Sequence, residues 1–164
     1  MARSTKRKGN RANTLAGLGR LDEARDAFRA GLAAALDLGQ KDVIWPCYLG
    51  LADCHEQAGA LDSAMVYNQL AIEALESQRG LGLTDRTRAA FGGRRAFVYE
   101  AQVHVLAKLA AGDPRSAYAA LAFTTAERGR ARALLDMLVE GNVDFHAGLD
   151  STMAEEHDRV ERGL

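Results

Sequence analysis

The sequence predicts an all-α fold of tandem antiparallel helical hairpins, an α-solenoid, with a helical extension at its carboxyl end. Alanine and leucine dominate the apolar residues, whereas aromatic residues make up 6% of the 164 residues and prolines number only 2. This balance favours helix over sheet. A glycine-centred segment also recurs along the chain, and apolar residues around it are spaced by three and four positions.

The recurring segment has the form of a turn between two helices. It reads Leu-Gly-Arg-Leu-Asp-Glu-Ala at residues 18–24 and Ala-Gly-Ala-Leu-Asp-Ser-Ala at residues 58–64, while residues 111–117 keep the glycine and the last alanine. Glycine favours the left-handed conformation that ends a helix, and an acid suits the start of the next. The predicted repeats and the extension cover about residues 3–39, 41–79, 85–129 and 130–164.

Amphipathic helices flank the first two turns. The helix after the first turn has its apolar stripe at Ala24, Phe28, Leu32 and Leu36. The helix after the second turn has its stripe at Leu61, Ala64, Met65, Asn68, Ala71, Ile72 and Leu75. Trp45-Pro46 predicts where the helix before the second turn begins. The facing stripe of that helix comprises Tyr48, Leu51, Ala52 and His55.

A longer helix is predicted in the second half of the chain. Residues 79–85 read as a loop, and the helix then runs from about Arg86 to Ala111, with a kink or break at Gly92-Gly93. Its predicted inner stripe comprises Phe97, Ala101, His104, Val105 and Lys108 or Leu109.

The last third of the chain predicts two helices. Asp113-Pro114 has the pattern of a helix start, and the helical period continues to Leu138 before Gly141-Asn142 stops it. Thr152 and Glu155 have the spacing of a capping box, which predicts a final short helix from Ser151 to Arg162.

Charge and hydropathy exclude two classes of partner. The net charge is −1, so we expect neither nucleic acid nor an anionic membrane as a partner. The basic residues within 1–11 are interpreted as a solvated helix start rather than a phosphate-binding arm. No apolar run is long enough to span a bilayer.

The two cysteines do not predict a disulfide. Cys47 and Cys54 are seven positions apart, too far for a disulfide on one helix. They read as small apolar residues of a cytoplasmic protein.

No residue pattern predicts catalysis, a metal or a nucleotide. Cys54 and His55 are adjacent and would point about 100° apart on a helix, so they cannot form a nucleophile–base pair. Cys47, Cys54, His55 and His104 lack the close pairs of a zinc site. The glycines at residues 80–93 lack the Lys-Ser/Thr pair of a phosphate loop. We therefore expect a protein that is not an enzyme and needs no cofactor.

The hairpin with Gly-x-Leu-Asp-x-Ala at its bend resembles a tetratricopeptide repeat. Matching positions of the second repeat are Tyr48, Leu51, Ala52, Ala64 and Ala71, and those of the first are Ala24 and Phe28. Gly31 departs from the pattern, the first leading helix is short and polar, and the third repeat matches only at its turn. The resemblance implies a scaffold whose partner is a protein or peptide segment.

In stacked hairpins the leading helix of each repeat lines a concave groove. The residues there that packing does not require are candidates for contacts with a partner, and the acids among them favour a basic or mixed segment. These candidates are Asn13, Leu49, Asp53, Glu56, Gln57, Tyr99 and Gln102. The alternative reading is that they form solvated helix faces.

Residues 86–160 are also similar to the segment that joins tetratricopeptide repeats to a caspase-like CHAT protease domain in bacterial proteins. The most specific part is the run Glu127-Arg-Gly-Arg-Ala-Arg-Ala-Leu-Leu135. This resemblance implies a fragment of a larger bacterial protein, in which the repeats could recruit substrate for, or regulate, a peptidase domain in cis. A helical sensor domain of a transcription regulator is a further alternative, and an exposed solenoid end could form a homodimer.

A row of arginines has two interpretations. Arg94, Arg95, Arg128, Arg130 and Arg132 could form a basic patch for phosphates or an acidic partner surface. The favoured interpretation is pairing of the last three with Glu127, Asp136 or Glu140.

Overall fold

The computed structural model describes the backbone of residues 11–78 and 85–140 and the side chains of residues 11–78 and 96–138. All regular secondary structure in these residues is helical, which confirms the all-α prediction. The described part of helix α1 comprises residues 11–17. The helices that follow are α2 (Leu21–Asp37), α3 (Lys41–Gln57), α4 (Leu61–Glu76), α5 (Asp85–Gly112) and α6 (Tyr118–Glu140).

The helices form a row in chain order. Helix α2 packs on α3, α3 on α4, α4 on α5 and α5 on α6. Connections of three residues separate the first four helices, and connections this short make consecutive helices antiparallel. The fold is therefore a solenoid-like stack of helical hairpins.

Three glycines make the turns between the first four helices. Gly19, Gly39 and Gly59 have φ values of 74°, 61° and 76°. At each turn the N–H groups of the glycine and of the next residue donate to carbonyl oxygens in the last turn of the preceding helix. This pattern is the Schellman motif. The role predicted for Gly19 and Gly59 is confirmed, whereas the equivalent turn at Gly39 is not anticipated by the sequence pattern.

Helix α3 begins earlier than Trp45-Pro46 predicts. The Schellman turn at Gly39 ends at Gln40, so α3 starts directly afterwards at Lys41 and contains Pro46. Pro46 has no N–H to donate to the carbonyl of Asp42, four residues before it. The side chain of Gln78, which is buried, donates from Nε2 to the carbonyl oxygen of Lys41 at 2.6 Å and holds this first turn against the end of α4.

The start of α6 also differs from the prediction. Asp113 belongs to a turn, in which its carboxylate accepts the N–H of Arg115 at 3.2 Å and its carbonyl accepts the N–H of Ser116 at 3.1 Å. Helix α6 therefore begins at Tyr118. The Asp113 side chain stabilises the turn rather than the first turn of the helix.

The predicted boundaries in the second half need two further corrections. Helix α5 continues through Gly92-Gly93 without a break, and Gly112 lies in its last turn instead of a left-handed cap. Helix α6 spans Tyr118–Glu140 and so includes residue 130, where the predicted extension begins. The predicted final helix, Ser151–Arg162, lies outside the described residues.

Buried residues form two clusters that share α3. One cluster joins α1, α2 and α3 around Phe28, Leu51 and Cys54. The other joins α3, α4 and α5 around Trp45, Ile72 and Val98. Because α3 contributes to both, it connects the first hairpin to the third.

A close approach at Gly50 sets the spacing of α2 and α3. A Cβ atom added at Gly50 would lie 2.2 Å from Cζ of Phe28, well inside contact distance. The Phe28 ring, 3% exposed, therefore packs directly on the α3 backbone. Only glycine fits this position without displacing an aromatic ring from the core.

Replacing Gly50 with alanine should destabilise the protein by about 1–3 kcal/mol, because overpacking a core shifts side chains and backbone. The matched control is Gly17→Ala, where no atom lies within 4 Å of the added Cβ. That change should be neutral or stabilising by up to about 1 kcal/mol. Urea unfolding followed by circular dichroism measures both. Equal stability of the two variants would contradict the proposed contact.

Candidate functional site

A groove of about 940 Å³ runs between α3 and α5. Helix α1 contributes Asn13 to its lining and α4 contributes Asn68. Along α3 the lining extends from Trp45 to Gln57, which corresponds to about 18 Å at 1.5 Å per residue. The other lining residues are Pro46, Leu49, Gly50, Asp53, Glu56, Phe97, Glu100, Ala101, His104 and Lys108.

The structure places five of the seven sequence-predicted residues in this groove. They are Asn13, Leu49, Asp53, Glu56 and Gln57. Their role in binding a partner stays a prediction, but their common location follows from α1 and α3 lying on one side of the stack.

The other two, Tyr99 and Gln102, belong to the core instead. They are 2% and 3% exposed, so α5 presents a different face to the groove from the one expected. The α5 residues that line the groove are Phe97, Glu100, Ala101, His104 and Lys108, and all of them except Glu100 belong to the predicted inner stripe. Their three- and four-residue spacing was the correct signal for one helix face. Burial of Tyr99 is possible because its hydroxyl donates to Oε1 of Glu76 at 3.3 Å.

Glu56 on α3 contacts α5, the helix that forms the opposite wall of the groove. Its Oε1 lies 2.7 Å from Nζ of Lys108 and 3.1 Å from Nε2 of His104, so a carboxylate on α3 meets two basic groups on α5. The Glu56 side chain is 18% exposed, whereas those of Lys108 and His104 are 47% and 62% exposed, so solvent partly screens the contact. The Glu56 carboxylate therefore has a cationic partner within the fold.

The other two groove acids are not compensated in the same way. Asp53 accepts a hydrogen bond at 2.9 Å from Nε2 of Gln57, which carries no charge. Glu100 is exposed and makes no ion pair within the described part of the chain. Two carboxylates thus remain available to a cationic ligand.

Two buried polar atoms in the groove lining have no hydrogen-bond partner among the described residues. They are Nε1 of Trp45 and Oδ1 of Asn68, on side chains that are 7% and 1% exposed. One can donate and the other can accept a hydrogen bond. Leaving such groups unpaired costs about 1–3 kcal/mol each, so their location in a groove is informative.

Behind the groove, Glu76 connects three helices. It accepts the hydrogen bond from Tyr99 on α5, and its Oε2 lies 2.5 Å from a guanidinium nitrogen of Arg132 on α6. The predicted pairing within the arginine row is confirmed for Arg130, which contacts Glu127. The partner of Arg132 lies 56 positions earlier in the chain, where no local pattern could indicate it.

The cysteines are buried and free. Burial raises the pKa of the Cys47 thiol to about 11, and burial, followed by the nearby Asp53 charge, raises that of Cys54. Both thiols are therefore protonated near neutral pH and poor nucleophiles.

No group of three or more His, Cys, Asp or Glu in the described residues is placed to hold a metal ion. None of the described helices is long and apolar enough to cross a membrane.

Comparisons with known protein families, with curated protein sequences and with solved structures find no significant match to this chain.

His55 provides a test of the packing behind α3. Its ring stacks on Tyr67 with centroids 5.2 Å apart. Its pKa is lowered first by burial and then by the Arg25 and Arg29 charges. Below the ordinary histidine pKa of about 6.5 the unfolded chain binds more protons than the folded one, so acid destabilises the fold.

The free energy of unfolding should therefore fall as the pH decreases from about 7.5 to 5.5, and His55→Phe should make this fall shallower. Phenylalanine keeps a ring against Tyr67 but does not titrate. Urea unfolding at a series of pH values measures the two slopes. Parallel slopes would show that His55 does not contribute.

Proposed function

We propose that this chain is a protein-interaction scaffold of tetratricopeptide type that holds a segment of a partner polypeptide in the groove between α3 and α5. The observation that carries the proposal is the groove itself, because side chains from α1, α3 and α5 converge on one concave face. Stacked hairpins use this face for recognition.

The dimensions of the groove suit an extended peptide. Its length of about 18 Å along α3 matches roughly five residues of extended chain at 3.3 Å each. Its lining combines apolar surface from Trp45, Leu49 and Phe97 with carboxylates and amides. An apolar surface can hold one or two side chains, and polar groups beside it can fix the register of the main chain.

The proposal assigns no chemical step to the chain. The two thiols, which are the strongest nucleophiles in the sequence, are buried and protonated near neutral pH. His55 stacks on Tyr67 and lies outside the groove lining. These placements support a binding role.

A second candidate function is supported by α6. Phe123, Leu134 and Met137 are 68%, 54% and 60% exposed and share one side of this helix. Leu134 lies within residues 127–135, the run that resembles the segment preceding a CHAT protease domain, and Met137 lies two residues after it. We propose that this face docks such a domain when one is present in the same protein. The codons that follow in the gene test this: a strand-rich region bearing a histidine and a cysteine is expected, and its absence would refute the docking role.

Panning a phage-displayed library of random 12-residue peptides against the purified chain tests the scaffold function. Selected peptides, synthesised with a fluorescent label, should bind the chain in anisotropy titrations. The groove variant Phe97→Ser with Ala101→Gln should weaken this binding at least about tenfold, because it removes exposed apolar surface and fills the groove without changing its charge.

The matched control is Val66→Ser, which removes an apolar side chain on α4 that is 52% exposed, against 57% for Phe97, and lies outside the groove. It should leave the affinity unchanged. Circular dichroism should show that all variants remain folded. Failure to enrich any peptide over a selection without the protein, or equal binding by the groove variant, would refute the proposed function.

A further inference from the structure

The groove contains a donor and an acceptor that the fold does not use. Asn68 lies in the middle of α4 with its side chain 99% removed from solvent, yet its Oδ1 has no partner in the described residues. A leucine would fill a similar volume without this cost. The retained amide is therefore explained better by a ligand than by stability.

Trp45 presents the complementary group. Its indole ring packs in the cluster of α3, α4 and α5, while its Nε1–H is buried without a partner and its side chain lines the same groove as Asn68. An N–H donor and a carbonyl acceptor are the pair that a main-chain peptide group requires. Rotation of the Asn68 amide about its last torsion can direct either polar atom toward the groove.

The charges of the groove indicate which side chain accompanies that peptide group. Glu56 is already paired with Lys108, and Nε2 of His104 lies 3.1 Å from the same carboxylate oxygen. Asp53 has only the amide of Gln57, and Glu100 has no ion pair in the described residues. A cation entering the groove would meet these two carboxylates, one on each wall.

We propose that the groove recognises a basic peptide segment, binding one of its main-chain peptide groups through Trp45 and Asn68 and one of its lysine or arginine side chains through Asp53 or Glu100. An apolar side chain of the same segment contacts Leu49 and Phe97. This inference rests on the proposed scaffold function and specifies the chemistry of its ligand.

Two labelled pools of 12-residue peptides, with acetylated and amidated ends and otherwise mixed positions, are the probes. One has a fixed Leu-X-X-Lys core and the other a fixed Leu-X-X-Glu core. The lysine pool should bind the chain at least about tenfold more tightly in anisotropy titrations, because like charge in the groove repels the other pool. The double variant Asp53→Asn with Glu100→Gln should remove this preference.

The hydrogen-bonding role is tested by Asn68→Leu and Trp45→Phe. Each should weaken binding of the lysine pool about tenfold, and Asn68→Leu should not lower the Tm, because it removes an unpaired buried amide. Gln102→Leu is the matched control: its Oε1 is also buried without a partner, but the residue lies outside the groove lining. It should bind like the unmodified chain. If Asn68→Leu does not fold, Asn68→Ser takes its place.

Trp45 also gives a direct spectroscopic readout. Because the sequence contains 1 tryptophan, a ¹⁵N-labelled sample shows a single indole N–H signal, that of Trp45. Addition of the lysine pool should move this proton signal downfield as the hydrogen bond forms.

The outcomes separate the two proposals. Absence of binding by either pool, together with the failed selection described above, would refute the scaffold function. Binding without a preference for lysine would refute the basic-ligand assignment alone. Full affinity in Asn68→Leu, or an indole signal that does not move, would refute the main-chain contact while leaving peptide binding intact.

Discussion

The left-handed glycine turn is the constraint on which the arrangement of the helices depends. It occurs at Gly19, Gly39 and Gly59, at intervals of 20 residues, and each time it leaves three residues between helices. Because the helices have nearly the same length and the turns have the same conformation, every second helix lies on the same side of the stack. This regularity places α1 and α3 on one face of the stack, and α5 continues the series although its own connection is different. The groove is therefore a product of backbone conformation before any side chain contributes to it.

The sequence predicted the parts of this structure that local patterns encode. The helical class, the turns at Gly19 and Gly59 and the groove positions on α1 and α3 follow from composition, glycine placement and helical spacing. The turn at Gly39 is not predicted, because Gly39-Gln40 is not followed by the Leu-Asp-x-Ala pattern of the other two turns. The predicted start of α3 is wrong for the same reason, because without that turn Pro46 is the strongest local signal.

The face of α5 could not be predicted because its apolar residues occur on more than one side. Phe97 is 57% exposed whereas Tyr99 is buried, the reverse of what their hydrophobicity suggests. The buried tyrosine hydroxyl donates to Glu76, which also contacts Arg132. The contact of Glu56 with Lys108 spans 52 positions in the same way. Such long-range pairs decide which face of a helix is buried, and they have no signature in local spacing.

Gly50 has one side in the groove lining and the other against the ring of Phe28. At this position only the α3 backbone separates the surface of the groove from the hydrophobic interior. A change in the shape of residue 28 is thus transmitted to the floor of the groove without any side chain in between. Core substitutions on α2, which lie outside the groove lining, thereby become a route by which the shape of the groove can be altered during evolution or by protein engineering.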